Sequence, residues 1–542
     1  MTVPGPPVAE PATTEPGPVD PGQNPVDPGQ NPVPMDANPA RWFAAPWFEA
    51  PRFEARRVVP IVVLVVAYAA SRTWGAIAGV RYDASVIRGT PLTDMWQLLD
   101  VPLLKGDLLT SVWHLNSQPP LFNLYSGVLL KLPDGMRSPV EVLCALLLGL
   151  TMVLSAYLVM VELRVPRWAA CTVTLVFVVA SPAYLLYENW LNYAYPTAAF
   201  GTFAAWCLIR FLRTSRARYG VGFFCAYAAV VLIDSTYQLE WFLLAGAIVL
   251  VVLRTQWRTV LAVAAVPLLL LMTWTVKDYA LFGTTTTSSW LGMNLARNVL
   301  YHAPSGQIAA LQRQGRLSAL ASVTPFSGPE VYSPRYVRAV PDPLAAVGAL
   351  HKANGSTNFN NPLYIAISSK YLHDDLAWIQ AHPHAYLDDV LNSVGVWMTG
   401  TDQNFTDSPN WPPTRTYSRL YDRYVDLQPS QNPAPGFVVF TRGWHNTAWL
   451  SHLAIATYVL SGLGVPILVW RRRRSDPAAA GTLAVLWCTT VYAFTTTSLI
   501  EIGENERFRS ELGPVPMILA VVVVTALVQA GWTRWGPAQR TT

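Results

Sequence analysis

Ten stretches of 15 to 24 residues, poor in charge and joined by polar connections, dominate this chain: 58–78, 140–163, 168–186, 191–212, 219–236, 239–253, 260–276, 449–470, 478–500 and 514–530. A helix rises about 1.5 Å per residue and the hydrocarbon core of a bilayer is about 30 Å thick, so roughly 20 apolar residues suffice to cross it. In lipid every backbone polar group must be satisfied internally, and segments of this length do so as helices. The expectation is an all-α polytopic membrane protein with about ten transmembrane helices. The sixth run is short for a crossing, so a shallow hairpin of the fifth and sixth runs is an open alternative.

Composition agrees, with 52% of the 542 residues apolar, 13% charged and a mean hydropathy of +0.28. A net charge of +5 and a pI near 8.9 do not point to nucleic acid, because the basic residues fall in short clusters between apolar runs. With the N-terminus inside, Arg56, Arg57, Arg164, Arg167, the arginines from Arg210 to Arg218, Arg254, Arg258, the run Arg471 to Arg474 and Arg534 all fall on the cytoplasmic side. This orientation puts two long hydrophilic segments outside, a first loop over 79–139 and a larger segment over 277–445, and returns the C-terminus to the cytoplasm. Four units follow: a tail over 1–57, an N-terminal bundle over 58–276, the extracytoplasmic segment over 277–445, and C-terminal helices over 446–542.

The tail is rich in Pro, Gly, Asn and Asp and repeats VDPGQNP from Val19 and Val26, a composition that favours disorder. It lacks the basic start and apolar core of a signal peptide, so it is expected to stay cytoplasmic. Trp42, Phe43, Trp47, Phe48 and Phe53 suit either a segment resting in the membrane interface or a plain linker. Cys144, Cys171, Cys207, Cys225 and Cys488 all lie in apolar runs, so neither disulfides nor a cysteine metal site is expected.

The first loop concentrates ionisable chemistry: Asp83, Asp94, Asp100, Asp107 and His114 lie between the first span and the segment NSQPPLFN at 116–123. Asp83 comes just past the first span, where partial desolvation raises the basicity of a carboxylate. MWQLLDVPLLKGDLL at 95–109 has apolar residues at helical spacing and reads as a helix on the membrane surface, with Asp100 and Asp107 at its polar edge. For any one of these aspartates, a capping or solvated role is the plain alternative.

Further polar groups sit at the outer ends of other spans. Glu188 and Asn189 occupy the turn between the third and fourth, and Asp234 and Glu240 the next outer turn. Lys277 and Asp278 end the seventh span, followed by Trp290 and Asn294, a ring that can stack on a sugar and an amide that can hydrogen-bond one. Arg507 and Arg509 lie before the last span, where guanidinium groups can bind a lipid phosphate; Glu504, Glu506 and Glu511 are close enough to neutralise them instead. Asp374–Asp375 and Asp388–Asp389 are fourteen residues apart, which on one helix returns them to one face, accounted for by solvation.

Two segments resemble a known family. NSQPPLFN is similar to the His-Pro-Pro-Leu segment that ends the first outer loop of family 39 glycosyltransferases, with Gln118 where that family has His and His114 nearby. EIGENERFRSELGPVPMI at 501–518 looks like the Glu-x-x-Arg-(Tyr/Phe) entry to a late span in such enzymes. The resemblance implies a type C (GT-C-like) membrane bundle with a long first outer loop and a small extracytoplasmic domain. It also implies a catalytic carboxylate soon after the first span; Asp83 matches that place, although Ala84 stands where a second acid is usual, and Asp100 is the second candidate.

The implied function is transfer of a sugar from a polyprenyl-phosphate donor to a cell-envelope glycan, lipid or protein, with anomeric inversion. Asp83 or Asp100 would take the acceptor proton, Arg507, Arg509 and Lys277 would stabilise the departing phosphate, and Gln118, His114, Glu188, Trp290 and Asn294 would contact sugar or acceptor. The scheme calls for no metal or cofactor, and the chain has no Gly-rich nucleotide motif. The rival readings are a transporter or flippase of lipid-linked glycans and a non-catalytic envelope scaffold. Transporters favour polar groups at the midplane of broken helices and internal repeats; neither stands out here apart from Arg72.

Overall fold

The computed structural model describes residues 55–84, 92–332, 344–402, 405–429 and 450–535. Residues 1–54, which hold most of the tail and its aromatic segment, lie outside the described residues.

Every one of the ten apolar runs is helical. In chain order the helices are α1 (Ala55–Ala78), α2 (Val101–Lys105), α3 (Leu108–Trp113), α4 (Pro120–Leu130), α5 (Asp134–Glu162), α6 (Arg167–Thr174), α7 (Pro182–Glu188), α8 (Ala194–Thr214), α9 (Ala217–Ile233), α10 (Leu239–Val252) and α11 (Trp257–Phe282). They continue as α12 (Leu291–Val299), α13 (Ser305–Arg313), α14 (Ala345–Gly348), α15 (Leu363–Ala381), α16 (Pro383–Trp397), α17 (Trp411–Tyr424), α18 (His452–Arg472), α19 (Pro477–Ile500), α20 (Asn505–Glu511) and α21 (Val515–Trp535).

Five helices are long and apolar enough to cross a membrane, or seven if two bent pairs each count as one span. One bent pair is α6 with α7, where a π-helical stretch at Leu175–Val179 runs into Ser181-Pro182 and the axis turns by 58°. The other is α20 with α21, which turn by 68° at Gly513-Pro514; Gly513 holds the left-handed conformation that glycine tolerates without steric cost. The difference from ten lies mainly in length. At 17 and 14 residues, α9 and α10 are roughly 25 and 21 Å long, less than the hydrocarbon thickness. With 21 residues α8 is long enough, but its Tyr, Pro, Thr and Arg residues leave it less apolar than those seven; it packs chiefly between α9 and α5.

The surface-helix reading of 95–109 is replaced by two short helices. The break falls at Gly106 and Asp107, so Asp100 and Asp107 each stand at a helix start.

Segment 277–445 divides. Trp290, Met293, Phe326, Phe359, Tyr364, Tyr371 and Trp378 form a core separate from the main one, built on α12, α13 and α15. By contrast α16 packs on α19 and α20, and α17 on α7 and α1. The two acidic pairs fall on different helices, because α15 ends at Ala381 and α16 begins at Pro383. A solvated face does not account for the first pair: Asp374 and Asp375 are fully buried.

Candidate functional site

The turn between α7 and α8 organises the polar groups of the bundle. Asp83, just past α1, is held there through its backbone: its N–H donates to the Asn189 carbonyl at 2.8 Å, and Leu191 N–H donates to the Asp83 carbonyl at 2.9 Å. On the same turn, the Tyr193 hydroxyl accepts from Arg507 Nη1 at 2.9 Å. Asp83 and Arg507 are thus anchored two to four residues apart on one short element.

Just before the turn, Glu188 is buried and clamped. Arg72 donates to both of its oxygens, at 2.8 to 3.1 Å, and the Tyr195 hydroxyl donates at 2.5 Å. Gly149 on α5 makes this approach possible, since a Cβ there would collide with the Tyr68 and Tyr195 hydroxyls and lie 2.6 Å from Glu188 Oε2. Glu188 is therefore an ion-paired group rather than a free sugar ligand.

Two cavities flank it. The larger, about 430 Å³, lies between α4, α5, α7 and α8 and has apolar walls that include Phe122, Leu148, Phe200 and Ile233. The smaller, about 260 Å³, lies against α1 and includes Arg72; both are bordered by Tyr82, Ala145 and Glu188. Tyr82 precedes Asp83 and Trp190 is its bridge partner, and both line the larger cavity. Glu141 lines it too, a group the sequence reading passed over; an acid at the second position of the run at 140–163 was the available signal.

The three candidate phosphate cations differ in how far they are matched. Arg507 is buried and paired with Glu504 at 2.9 Å and Glu511 at 2.6 Å, and its guanidinium lies over Tyr193 and Phe508. Lys277 is buried at the end of α11, donating to Asp278 at 2.5 Å and to the Leu115 carbonyl at 2.8 Å. Arg509 differs: it donates to the Trp397 and Thr399 carbonyls at 2.7 and 2.5 Å, and no carboxylate lies within ion-pair distance of it among the described residues. It borders a cavity of about 110 Å³ together with Tyr184, Tyr458 and Asp426. Burial pushes the Asp426 carboxyl up to about 7, against the pull of Arg509.

The remaining candidates form a joint between the first loop and the segment after α11. Asn116 and Ser117 N–H groups both donate to Asn360 Oδ1, at 2.8 and 3.1 Å, and Ser289 Oγ donates to Asn116 Oδ1 at 3.0 Å. The NSQPP segment is thus tied down by its backbone, with Gln118 buried beside it. The His114 carbonyl accepts from Asn360, and its ring Nδ1 meets the Thr110 carbonyl at 2.9 Å. Asp100 accepts from Ala353 N–H at 2.7 Å, next to Lys352, whose ammonium burial lowers to about 8. Trp290 is buried against Phe326 and Phe359, with its Nε1 donating to the Phe359 carbonyl at 3.4 Å; its faces belong to the core of the α12–α15 unit. Asn294 is half-buried on α12.

The candidates therefore separate into two groups. Asp83, Glu188 and Arg507 gather round the turn at 187–193 beside an apolar cavity, while Asp100, His114, Asn116 and Trp290 hold the α12–α15 unit to the first loop. No known family model matches this chain, and neither does any curated protein or solved structure.

Proposed function

We propose that this protein is an integral membrane glycosyltransferase that moves a sugar from a polyprenyl-phosphate donor to a cell-envelope acceptor on the extracytoplasmic side. In this reading the ten helical runs form one bundle with both termini cytoplasmic, and the first loop and segment 277–445 lie outside. The observation that carries it is the position of Asp83, a half-buried carboxylate fixed by its backbone to a turn whose Trp190 lines an apolar cavity of about 430 Å³. An amphiphilic acceptor needs such a junction, an apolar site for its chain next to a group that can take its proton.

The acceptor hydroxyl gives its proton to the Asp83 carboxylate as its oxygen attacks the anomeric carbon. The bond from that carbon to the phosphate oxygen breaks, and the electron pair leaves with polyprenyl phosphate. Arg509, which no carboxylate neutralises directly among the described residues, is the cation best suited to that leaving group. Arg507 and Lys277 keep their own carboxylates and act by shaping the site.

The test is sugar transfer from labelled polyprenyl-phosphate sugars by purified protein in vesicles that contain envelope acceptor fractions. Asp83→Asn is expected to reduce turnover by about 10²- to 10⁴-fold, and Asp100→Asn to leave it within a few-fold of wild type. Wild-type turnover in Asp83→Asn removes the catalytic assignment. Movement of a lipid-linked glycan across the vesicle without transfer replaces the enzyme by a flippase.

A further inference from the structure

The larger cavity is acidic where a phosphate site would be basic. Among the described residues its lining includes Glu141 and Glu188 and no lysine or arginine. Glu188 is matched by Arg72 and Tyr195. Glu141 is not matched: only 7% of it is exposed, it lines the cavity, and no hydrogen bond reaches its side chain among the described residues. Arg137, one helical turn earlier, attracts Glu141 by its charge but makes no hydrogen bond to it; its Nη2 donates to Asp134 at 2.7 Å and to the Leu130 carbonyl at 3.2 Å. A buried carboxylate without a donor is costly, and the cost is relieved by an occupant that brings one.

We infer that this cavity binds an amphiphile with an uncharged, hydroxyl-bearing head, the chain lying among Phe122, Leu148, Phe200 and Ile233 and a head hydroxyl donating to Glu141. The inference rests on the transferase reading in one respect: it makes this cavity the acceptor's site and excludes the phosphate-linked donor from it. A volume of about 430 Å³ falls within the range of small-molecule sites, about 300–1,000 Å³. Entry is sideways: Leu147 lines the cavity and is 56% exposed, and Leu143 beside it is 55% exposed, on a helix of mean hydropathy 2.4. An anionic head would meet carboxylates and no cation in the lining. An ammonium head would satisfy Glu141 but, having no acceptor, would leave the Asn192 amide N–H, whose carbonyl already accepts from Ala194, and the Tyr82 hydroxyl proton without the acceptors that a polyol supplies.

The experiment measures equilibrium binding of two labelled probes of equal chain length, dodecyl glucoside and dodecyl phosphate, to the full-length protein in nanodiscs of neutral lipid. The glucoside is expected to bind at least tenfold more tightly than the phosphate. Glu141→Gln is expected to weaken the glucoside about tenfold, and Leu148→Trp, which fills the cavity with apolar volume, to reduce its binding to the lipid background. Thermal unfolding of both variants shows that they are folded. Equal affinity for the two probes, or glucoside binding unchanged by Leu148→Trp, overturns the inference. Binding is read without donor, so saturable glucoside binding in a protein that transfers no sugar supports this site while removing the transferase, and transfer without such binding does the reverse.

Discussion

Asp83 and Trp190, 107 positions apart in sequence, form a parallel bridge in which the N–H and the carbonyl of Asp83 are both engaged by the backbone on either side of Trp190. The carboxylate takes no part in this bridge, so the chemistry and the anchoring of this residue can be separated. Asp83→Asn keeps the N–H and therefore the bridge. Asp83→Pro removes the donor to Asn189 and should cost about 1–3 kcal/mol. Thermal melts in one detergent compare the two, and equal melting temperatures for both variants would show that the bridge contributes nothing.

The Arg72–Glu188 pair should behave as a buried ion pair. Removing one member leaves a desolvated charge, so Arg72→Met or Glu188→Leu alone should cost about 3–5 kcal/mol, while the double replacement should be much closer to wild type. A double-mutant cycle on the unfolding free energies measures the coupling directly. Costs that simply add would contradict the pairing.

Gly292 brings α12 against α15, and a Cβ there would collide with the Ser368 carbonyl and come within 2.6 Å of the Leu372 backbone nitrogen. Backbone atoms cannot give way as a side-chain tip does. Gly292→Ala should destabilise by about 3 kcal/mol and speed proteolysis within 291–381, whereas Gly306→Ala, with open space around it, should leave both unchanged. Limited proteolysis followed by mass mapping reads the difference.

Asp375 predicts a pH effect with a definite sign. Both of its oxygens are buried without a hydrogen-bond partner among the described residues, and burial together with neighbouring Asp374 raises its carboxyl to about 9. The folded state therefore holds a proton that the unfolded chain releases near pH 4. The resulting stability is fully present below that pH and is lost as pH rises toward 9. Asp375→Leu removes the titration and the unsatisfied oxygens, so it should raise the melting temperature more at pH 8.5 than at pH 5. An equal shift at both pH values would show that Asp375 is not protonated in the fold.

Trp290 was a candidate sugar platform by residue type, but its rings are covered by Phe326 and Phe359. Trp290→Ala should cost about 3–5 kcal/mol as a core truncation, and Trp290→Phe clearly less. Affinity for an alkyl glucoside should be unchanged in the folded Phe variant; a tenfold loss there would restore a binding role.

Much of the helical plan was legible because hydropathy is a property of adjacent residues: every one of the ten apolar runs is helical, from 58–78 through to the last at 514–530. The arginines of the last segment were legible in the same way, and the pairing of Arg507 with Glu504 and Glu511 lies within one helical turn. Two features of the site were not. Glu141 reads as one more charge at the edge of a span, and nothing near it in sequence says that it is buried against a cavity. Trp290 reads as a ring that can stack on a sugar until Phe326 and Phe359 close over it.

From its sequence alone this protein is a chain of apolar helices whose charges cluster between them, since local composition decides which segments tolerate lipid. Tertiary packing decided which carboxylates are matched and which are left facing a cavity. Glu188 meets Arg72 across 116 positions, Asp83 meets the turn that carries Trp190, and Glu141 meets no hydrogen-bond donor among the described residues. Long-range contacts set those partnerships, and the free energy of a buried charge depends on its nearest few atoms rather than on its neighbours along the chain.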